Sequence, residues 1–281
     1  MHGYLGGQAG AAAIARLVSG RVSPSGKLAE TMPHRLSDTP CRDCYPGPES
    51  TSEYRESIFV GYRYYDSAKR AVKYPFGFGL SYSEFEYSGL EISGGEVSFN
   101  IKNIGGVSAA EVAQVYVSAP KTGVFCSEKE LRGFVRVELS PGQEKRVSVA
   151  LPERAFCYWN VRLDRWVCAG GEYGVLVGAS SRDIRLAGSI EKQGDAAPDP
   201  YADEIFAPYR SADVQCVPDA AFAALLGREL PPHLWDRNAP LEFNSALVQG
   251  KYRPGIGRLL YRLLRLVYGF FRVTGNREGA N

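Results

Sequence analysis

Carboxylates are the residues of this sequence with the plainest capacity for acid–base chemistry, and Glu84 and Glu86 have the most suggestive spacing. Two carboxyl groups can divide the roles of acid and base when one is kept protonated and the other ionised. Residues two apart on a strand lie on the same face, so these two side chains would lie together. The neighbouring sequence does not predict an apolar pocket that would keep one of them protonated. The pattern therefore favours a solvated strand face, and we predict no catalytic residue here.

Cysteine and histidine positions do not predict a metal site. Cys41 and Cys44 form a CxxC, but a zinc site needs four ligands, and the only histidine nearby is His34. The other cysteines are scattered along the chain: Cys126, Cys157, Cys168 and Cys216. We interpret the CxxC as a pair of reduced loop thiols, and we expect no metal and no cofactor.

Motifs for nucleotide binding or acyl transfer fail on spacing. Gly77 and Gly79 lack the third glycine of GxGxxG, and the segment from Gly20 to Lys27 misses the GxxxxGK spacing by one residue. Ser180 lacks the closing glycine of GxSxG. The histidines are dispersed without a serine or cysteine motif beside them, so no catalytic triad is predicted.

The composition is that of an ordinary soluble globular protein, with 44% hydrophobic and 23% charged residues in a chain of 281. The formal net charge of +2 gives no reason to expect nucleic acid as a partner. The sequence has no apolar run of the roughly 18 residues that a spanning helix needs, and residues 1–20 lack the features of a signal peptide. We expect a cytoplasmic protein.

Residues 84–190 carry the pattern of antiparallel strands packed on one side. Apolar residues alternate with polar ones, so that each run has one apolar face. The clearest runs are Val97, Phe99 and Ile101; Val135, Val137 and Leu139; and Val147, Val149 and Leu151. Turn signals rich in Gly, Pro, Asn and Ser separate them. This spacing predicts a β-sandwich and a fold class that is mainly β.

A helix and a strand are predicted upstream of the sandwich, without neighbours. Residues 8–19 are alanine-rich with an apolar stripe, Gly20 suits the position after a helix end, and Lys27 to Met32 is predicted as a short strand. One helix and one strand cannot bury a core. We therefore expect residues 1–33 to be a partial α/β segment that docks on something absent from this chain, with Met1 opening inside a domain.

Three long stretches of the sequence resemble glycoside hydrolase family 3, the β-glucosidase family. They are GGQAGAAAIARLVSGRVSPSGKLAETMP, YRESIFVGYRYYDSAKRAVKYPFGFGLSY and KELRGFVRVELSPGQEKRVSVALPERAFCYWN. The resemblance covers about residues 3–190. It implies that residues 1–45 are a remnant of the family's α/β C-terminal domain, 46–82 an aromatic connector, and 83–190 a fibronectin type III-like (immunoglobulin-like) sandwich.

In that family the nucleophile is an aspartate of an N-terminal barrel, and the acid/base is commonly a glutamate of the α/β domain, ahead of the matched segment. The resemblance therefore transfers no catalytic residue to this chain. It makes the barrel and the rest of the α/β domain the expected partners, and a carbohydrate the expected substrate of the whole enzyme.

The connector supplies the candidate cleft-edge residues Tyr54, Glu56, Tyr62 and Arg63. Aromatic rings stack on sugars, so Tyr54 or Tyr62 could border a substrate cleft, although packing is the favoured interpretation. For Glu56, which lies near Arg55 and Arg63 in the sequence, we expect a buried ion pair rather than a sugar contact.

Beyond the sandwich, residues 191–216 are predicted to be a linker and 217–281 a helical tail. Asp219 to Gly227 is predicted as a short helix. Ile256 to Val273 is predicted as an amphipathic helix with an apolar face opposite four arginines: Arg258, Arg262, Arg265 and Arg272. Such a helix can dock on its own enzyme, pair across a homo-oligomer or lie on a membrane surface, and these are the candidate partners of residues 256–273.

The sequence therefore predicts the C-terminal part of a β-glucosidase-like glycosidase, which supports the active site without supplying its two carboxylates. The isolated chain is expected to be inactive. The alternative is a non-catalytic module that binds carbohydrate or holds subunits together. The aromatic residues that favour this alternative lie near one hairpin: Tyr158, Trp159 and Trp166.

Overall fold

The computed structural model describes residues 2–240, 242–243 and 245–274. The chain divides into two compact units. The first contains residues 1–46 and 53–230, and the second contains residues 47–52 and 231–281.

The first unit is built around a two-sheet antiparallel sandwich. One sheet contains β1 (Phe85–Ser93), β2 (Glu96–Asn103) and β5 (Glu144–Ala150), in the order β1-β2-β5. The other contains β3 (Ala109–Ser118), β4 (Glu130–Leu139), β8 (Gly171–Gly178) and β9 (Ile184–Lys192), in the order β4-β3-β8-β9. A separate two-stranded hairpin joins β6 (Cys157–Asn160) to β7 (Arg165–Cys168). The predicted mainly β sandwich is confirmed.

The core of the sandwich lies between the sheets and follows the alternation seen in the sequence. On β2, Val97, Phe99 and Ile101 are fully buried, whereas the polar residues between them are not. Val115 and Val175 meet them from the opposite sheet in the same cluster. Burial of one such side chain contributes about 1.5–3 kcal/mol, so this apolar face is what selects the register of the strands.

The segment before the connector is only partly regular. Helix α1 (Gly10–Val18) buries none of its residues, and Gly20 follows it with φ of 73° in the left-handed region, as predicted. The predicted strand from Lys27 to Met32 is wrong as a regular strand. Its backbone hydrogen bonds to residues 73–78 form at two places, at Leu28 with Gly77 and Phe78 and at Met32 with Tyr74. No continuous ladder forms because residues 73–78 turn sharply between these two places.

The connector forms helix α2 (Tyr62–Ser67) and packs into a second apolar cluster of the first unit. This cluster also recruits residues from the region we interpreted as a linker, including Phe206, Tyr209 and Val214. That region contains α3 (Ala207–Arg210), and α4 (Asp219–Leu226) follows it. The interpretation of residues 191–216 as a linker is therefore wrong for its second half. The few large apolar residues of that half pack into the second apolar cluster.

The second unit consists of a 3-10 helix at Leu247–Tyr252 and helix α5 (Ile256–Val273), together with irregular segments. Arg237 organises its irregular part, because its guanidinium pairs with Glu49 at 2.7 Å and lies 3.6 Å from the ring centroid of Tyr252. Helix α5 has the predicted bounds, and none of its residues is buried. Across the described residues, no helix combines the length and the apolar character needed to cross a bilayer.

Candidate functional site

Asp66 is the main electrostatic link between the connector and the sandwich. It lies on α2 with only 5% of its side chain exposed, and its carboxylate contacts Nζ of Lys129 at 2.9 Å and Nε of Arg182 at 2.7 Å. Arg182 also donates to the carbonyl oxygens of Tyr65 and Arg70. Because a buried carboxylate is costly without partners, these two cations hold α2 in place between the start of β4 and the turn from β8 to β9.

A second buried pair fixes the segment that precedes the connector. Nζ of Lys27 lies 2.7 Å from Oε1 of Glu111 on β3, and both side chains are largely buried. Further along the same strand, Nε2 of Gln114 donates to the carbonyl oxygens of Gly77 and Ala179. Strand β3 of the sandwich therefore binds both the connector and the segment before it.

The candidate residues of the connector fall into different environments. Tyr54 is 73% exposed, whereas Tyr62 is buried, packs against Phe76 in a tilted arrangement with ring centroids 4.7 Å apart, and accepts a hydrogen bond from the amide of Leu131. Burial raises the pKa of the Tyr62 hydroxyl. Tyr62 thus packs, as favoured from the sequence, and the four candidates are not brought together at one surface.

The prediction that Glu56 forms a buried ion pair is wrong. Arg55 instead contacts Glu53 at 2.6 Å and Asp219 at 2.7 Å, and donates to the carbonyl oxygen of Val217. Arg63 lies 3.4 Å from Glu130. Glu56 is buried, and within the described part of the chain it has no ion pair. Glu53 is as near in sequence as Glu56, whereas Asp219 is far away in the chain, so that contact could not be predicted from nearness in sequence.

An aromatic cleft of about 360 Å³ lies beside the β6–β7 hairpin. Trp159 and Trp166 are 44% and 42% exposed at its rim, with ring centroids 5.7 Å apart in an edge-to-face arrangement. Phe125 and Tyr201 extend the aromatic lining, and their centroids are 4.6 Å apart. The sequence pointed to the tryptophans, but Phe125 and Tyr201 carry no local signal because they are far apart in the chain.

The two charged side chains that line the aromatic cleft, Glu130 and Arg132, pair with each other. Glu130 is the one carboxylate among the described lining residues, and it contacts Arg132 at 2.8 Å as well as Arg63. A glycosidase of the usual kind needs two carboxyl groups with different roles. The arrangement is suited to binding an uncharged, partly apolar ligand rather than to cleaving it.

The remaining sequence candidates do not form a reactive centre. Glu84 and Glu86 are both exposed, which fits the solvated strand face predicted for them. Cys41 and Cys44 lie in a tight turn in which the amide of Cys44 donates to the carbonyl oxygen of Cys41. Among the described residues, no group of three or more Cys, His, Asp or Glu side chains has the geometry to hold a metal ion.

The sandwich, its connector and the cleft define an accessory β-domain that is fixed to the segment before it. Two family models match this arrangement: the glycosyl hydrolase family 3 C-terminal domain over residues 1–82, and the fibronectin type III-like domain over residues 111–181.

Curated relatives and solved structures agree with these matches. The chain is 45% identical to thermostable beta-glucosidase B of Acetivibrio thermocellus over 68% of its length and 26% of the relative. It is 41% identical to an exo-alpha-(1->6)-L-arabinopyranosidase of Bifidobacterium breve over 72% of its length and 28% of the relative. The crystal structure of a Bifidobacterium adolescentis GH3 beta-glucosidase superposes with a TM-score of 0.65 at 35% identity, covering 90% of this chain and 32% of that one.

The chain belongs to glycosyl hydrolase family 3 and corresponds to the C-terminal part of that family's proteins. It spans about a quarter of the length of the curated relatives that it matches.

Proposed function

We propose that this chain is the supporting C-terminal part of a β-glucosidase-like enzyme that hydrolyses glycosidic bonds in a carbohydrate. The catalytic aspartate and glutamate come from the barrel and the preceding part of the α/β domain. The observation that carries the proposal is the pair of buried links, Asp66 with Lys129 and Arg182 and Lys27 with Glu111, which join the two family-matched regions into one body.

Helix α1 supplies the docking face in this proposal. Its apolar side is uncovered, with Ile14 41% and Val18 69% exposed, although the segment after it is held firmly by Lys27. A helix with an apolar stripe is stable in water chiefly when that stripe is packed. The rest of the α/β domain is the surface that would cover it.

Fragment complementation tests the supporting role. The chain is mixed with Acetivibrio thermocellus beta-glucosidase B that has been truncated before the region matched by this chain. The release of p-nitrophenol from p-nitrophenyl β-glucoside is then followed. We expect no turnover by the chain alone and a gain in turnover by the mixture. Val18→Asp should abolish the gain, whereas Leu36→Asp, a change at an even more exposed residue outside α1, should preserve it.

Two outcomes would contradict the proposal. One is turnover by the pure chain. The other is the absence of any gain when both parts are folded by circular dichroism and the chain is in excess.

A second candidate function, non-catalytic carbohydrate binding, is favoured by the half-exposed tryptophans of the aromatic cleft. Arg154 covers one face of Trp166 at 5.3 Å from the ring centroid, which leaves Trp159 as the better stacking surface. Calorimetric titration with cellobiose should give heat that Trp159→Ala removes and that Trp235→Ala, in the second unit, leaves unchanged. An absence of heat at millimolar sugar would exclude this candidate.

For helix α5 we propose that its partner is a second copy of the chain or a membrane surface. Its apolar residues are uncovered, among them Leu259, Leu263 and Leu266, and within the described residues its four arginines form no ion pair. Sedimentation velocity of the chain alone, and co-sedimentation with phosphatidylglycerol-containing vesicles, separate the two partners. Leu263→Asp should weaken whichever association is observed.

A further inference from the structure

The β6–β7 hairpin places two cysteines directly opposite each other. The strands pair antiparallel with Cys157 against Cys168, Tyr158 against Val167 and Trp159 against Trp166. Both thiols are free in the structure and half-buried. Eleven positions separate them in the chain, so neither a CxxC pattern nor their spacing marks them as a pair.

The hydrogen bonding of Cys168 shows what kind of cross-strand pair this is. Its amide donates to Oδ2 of Asp195 at 2.9 Å, and its carbonyl accepts from the amide of Asp195 at 2.9 Å. The N–H and C=O of one strand residue point to the same side. Both groups of Cys168 therefore point away from β6, and Cys157 with Cys168 is a non-hydrogen-bonded pair.

Non-hydrogen-bonded pairs are the closer of the two kinds. Their Cα atoms lie about 4.5 Å apart, against about 5.5 Å for the hydrogen-bonded kind. A disulfide accepts Cα separations of about 4.4–6.8 Å, and one near an end of that range is strained and more easily reduced. The pair can thus be bridged without moving the strands.

The two thiols lie in partly buried surroundings that hold them close together. Burial, with Cys168 as the next cause, raises the pKa of the Cys157 thiol. Sγ of Cys157 lies 3.3 Å from the carbonyl oxygen of Glu153, and Sγ of Cys168 lies 3.8 Å from the hydroxyl of Tyr173. Neither contact is an ion pair that a disulfide would have to break.

We propose that Cys157 and Cys168 are a redox-active dithiol that closes into a reversible cross-strand disulfide, with a low-molecular-weight disulfide as the oxidant. One protein thiolate attacks a sulfur of glutathione disulfide, forms a mixed disulfide and expels one glutathione thiolate. The second protein thiolate then attacks the protein-side sulfur and expels the other. The two thiol protons end on two molecules of glutathione, and two electrons pass to the glutathione disulfide.

The disulfide would lock the rim of the aromatic cleft. Strand residues two apart lie on one face, so the cysteine pair and the Trp159–Trp166 pair are neighbours on the same side of the hairpin. Cys157, Trp159 and Trp166 also line the cleft. A bond at the base of this four-residue ladder restricts how far the indole rings can separate.

The test uses the full chain, first fully reduced and then equilibrated with glutathione disulfide. Titration with Ellman's reagent under denaturing conditions should fall from six thiols to four, and a non-reduced peptide map should join the peptides of Cys157 and Cys168. In a Trp235→Phe background, where only the hairpin tryptophans emit, fluorescence should fall on oxidation and recover with dithiothreitol. Disulfides quench nearby indoles, so this readout reports the bond where we place it.

Matched variants make the result decisive. Cys157→Ser and Cys168→Ser should each remove the fluorescence change, whereas Cys216→Ser, which removes an exposed thiol, should retain it. Stable glutathione adducts without ring closure, a bond from Cys157 to Cys126 across the cleft, or six thiols after equilibration would each overturn the proposal. Circular dichroism of every variant shows that a lost signal is not lost folding.

Discussion

The sandwich and helix α5 follow the same amphipathic principle with opposite outcomes. On β2, the apolar residues Phe99 and Ile101 are fully buried against the facing sheet. On α5, Leu263 and Leu266 are 50% and 71% exposed. An apolar face in a sequence therefore shows that an element has something to bury, and not whether its partner belongs to the same chain. Substitutions in the two kinds of region should behave very differently.

The largest loss of stability is expected at Asp66, where the connector meets the sandwich. Asp66→Ala leaves Lys129 and Arg182 without their shared carboxylate, and breaking a buried pair costs about 3–5 kcal/mol. Urea denaturation measures the change. Asp43→Ala, which removes the exposed partner of Arg42, is the control and should cost far less, because solvent screens an exposed pair. Equal effects for the two variants would show that the link to the sandwich is not structural.

Gly77 is expected to show the next largest effect, and Gly142 is its matched control. Both have positive φ, at 77° and 76°, so alanine should cost about 1 kcal/mol at either position. A Cβ at Gly77 would also clash with Oε1 of Gln114, whereas the space beside Gly142 is open. Overpacking adds roughly 1–3 kcal/mol, so Gly77→Ala should be clearly the less stable variant in thermal or urea unfolding. A difference of zero would mean that Gln114 can move away.

The aromatic cluster around the connector predicts a sensitivity to alkali. Burial raises the pKa of Tyr65 and of Tyr209 to about 12, above the value of about 10 for a tyrosine in the unfolded chain. The stability contributed by the neutral hydroxyls is therefore complete below about pH 10, and it is lost as the pH rises towards about 12, because the unfolded chain releases its protons first.

Urea midpoints measured from pH 9 to pH 12 test this prediction. Tyr209→Phe should flatten the decline, since it removes one of the hydroxyls whose pKa is raised by burial. Tyr54→Phe, which removes a hydroxyl from an exposed ring, should follow the parent profile. A profile that begins to fall well below pH 10 would point to other groups.

The smallest effects are expected on the two uncovered helices. Val18→Asp on α1 and Leu263→Asp on α5 replace exposed apolar residues, and such substitutions usually change stability by less than about 0.5 kcal/mol. Urea unfolding of the isolated chain measures the change. A loss above about 2 kcal/mol would show that the helix in question is covered within the chain or by a second copy of it.

The sequence was most informative where structure depends on local periodicity. The strands around Val97, Val137 and Val149, and the bounds of α5, follow from alternation and from the 3.6-residue repeat. What could not be predicted depends on contacts between distant residues. Arg55 pairs with Asp219 and not with its neighbour Glu56. Cys157 lies opposite Cys168 only because a turn folds the hairpin. Neither contact produces a periodic pattern in the sequence.

The aromatic cleft shows the same limit. Trp159 and Trp166 are recognisable as a cluster in the sequence, but Phe125 and Tyr201 reach the cleft from a loop and from a stretch rich in proline and aspartate. That stretch was predicted to be a linker because its average composition is polar. A few large apolar residues, Phe206 and Tyr209 among them, are enough to anchor it.

The backbone pairing of Leu28 with Gly77 and Phe78 has a practical consequence for protein engineering. A designer who wished to transplant the sandwich into another host could not cut at its first strand. Glu111 and Gln114 would then face water without Lys27 and Gly77, their present companions. The smallest portable cassette begins before Lys27, so the boundary suited to grafting lies far ahead of Phe85, where β1 begins.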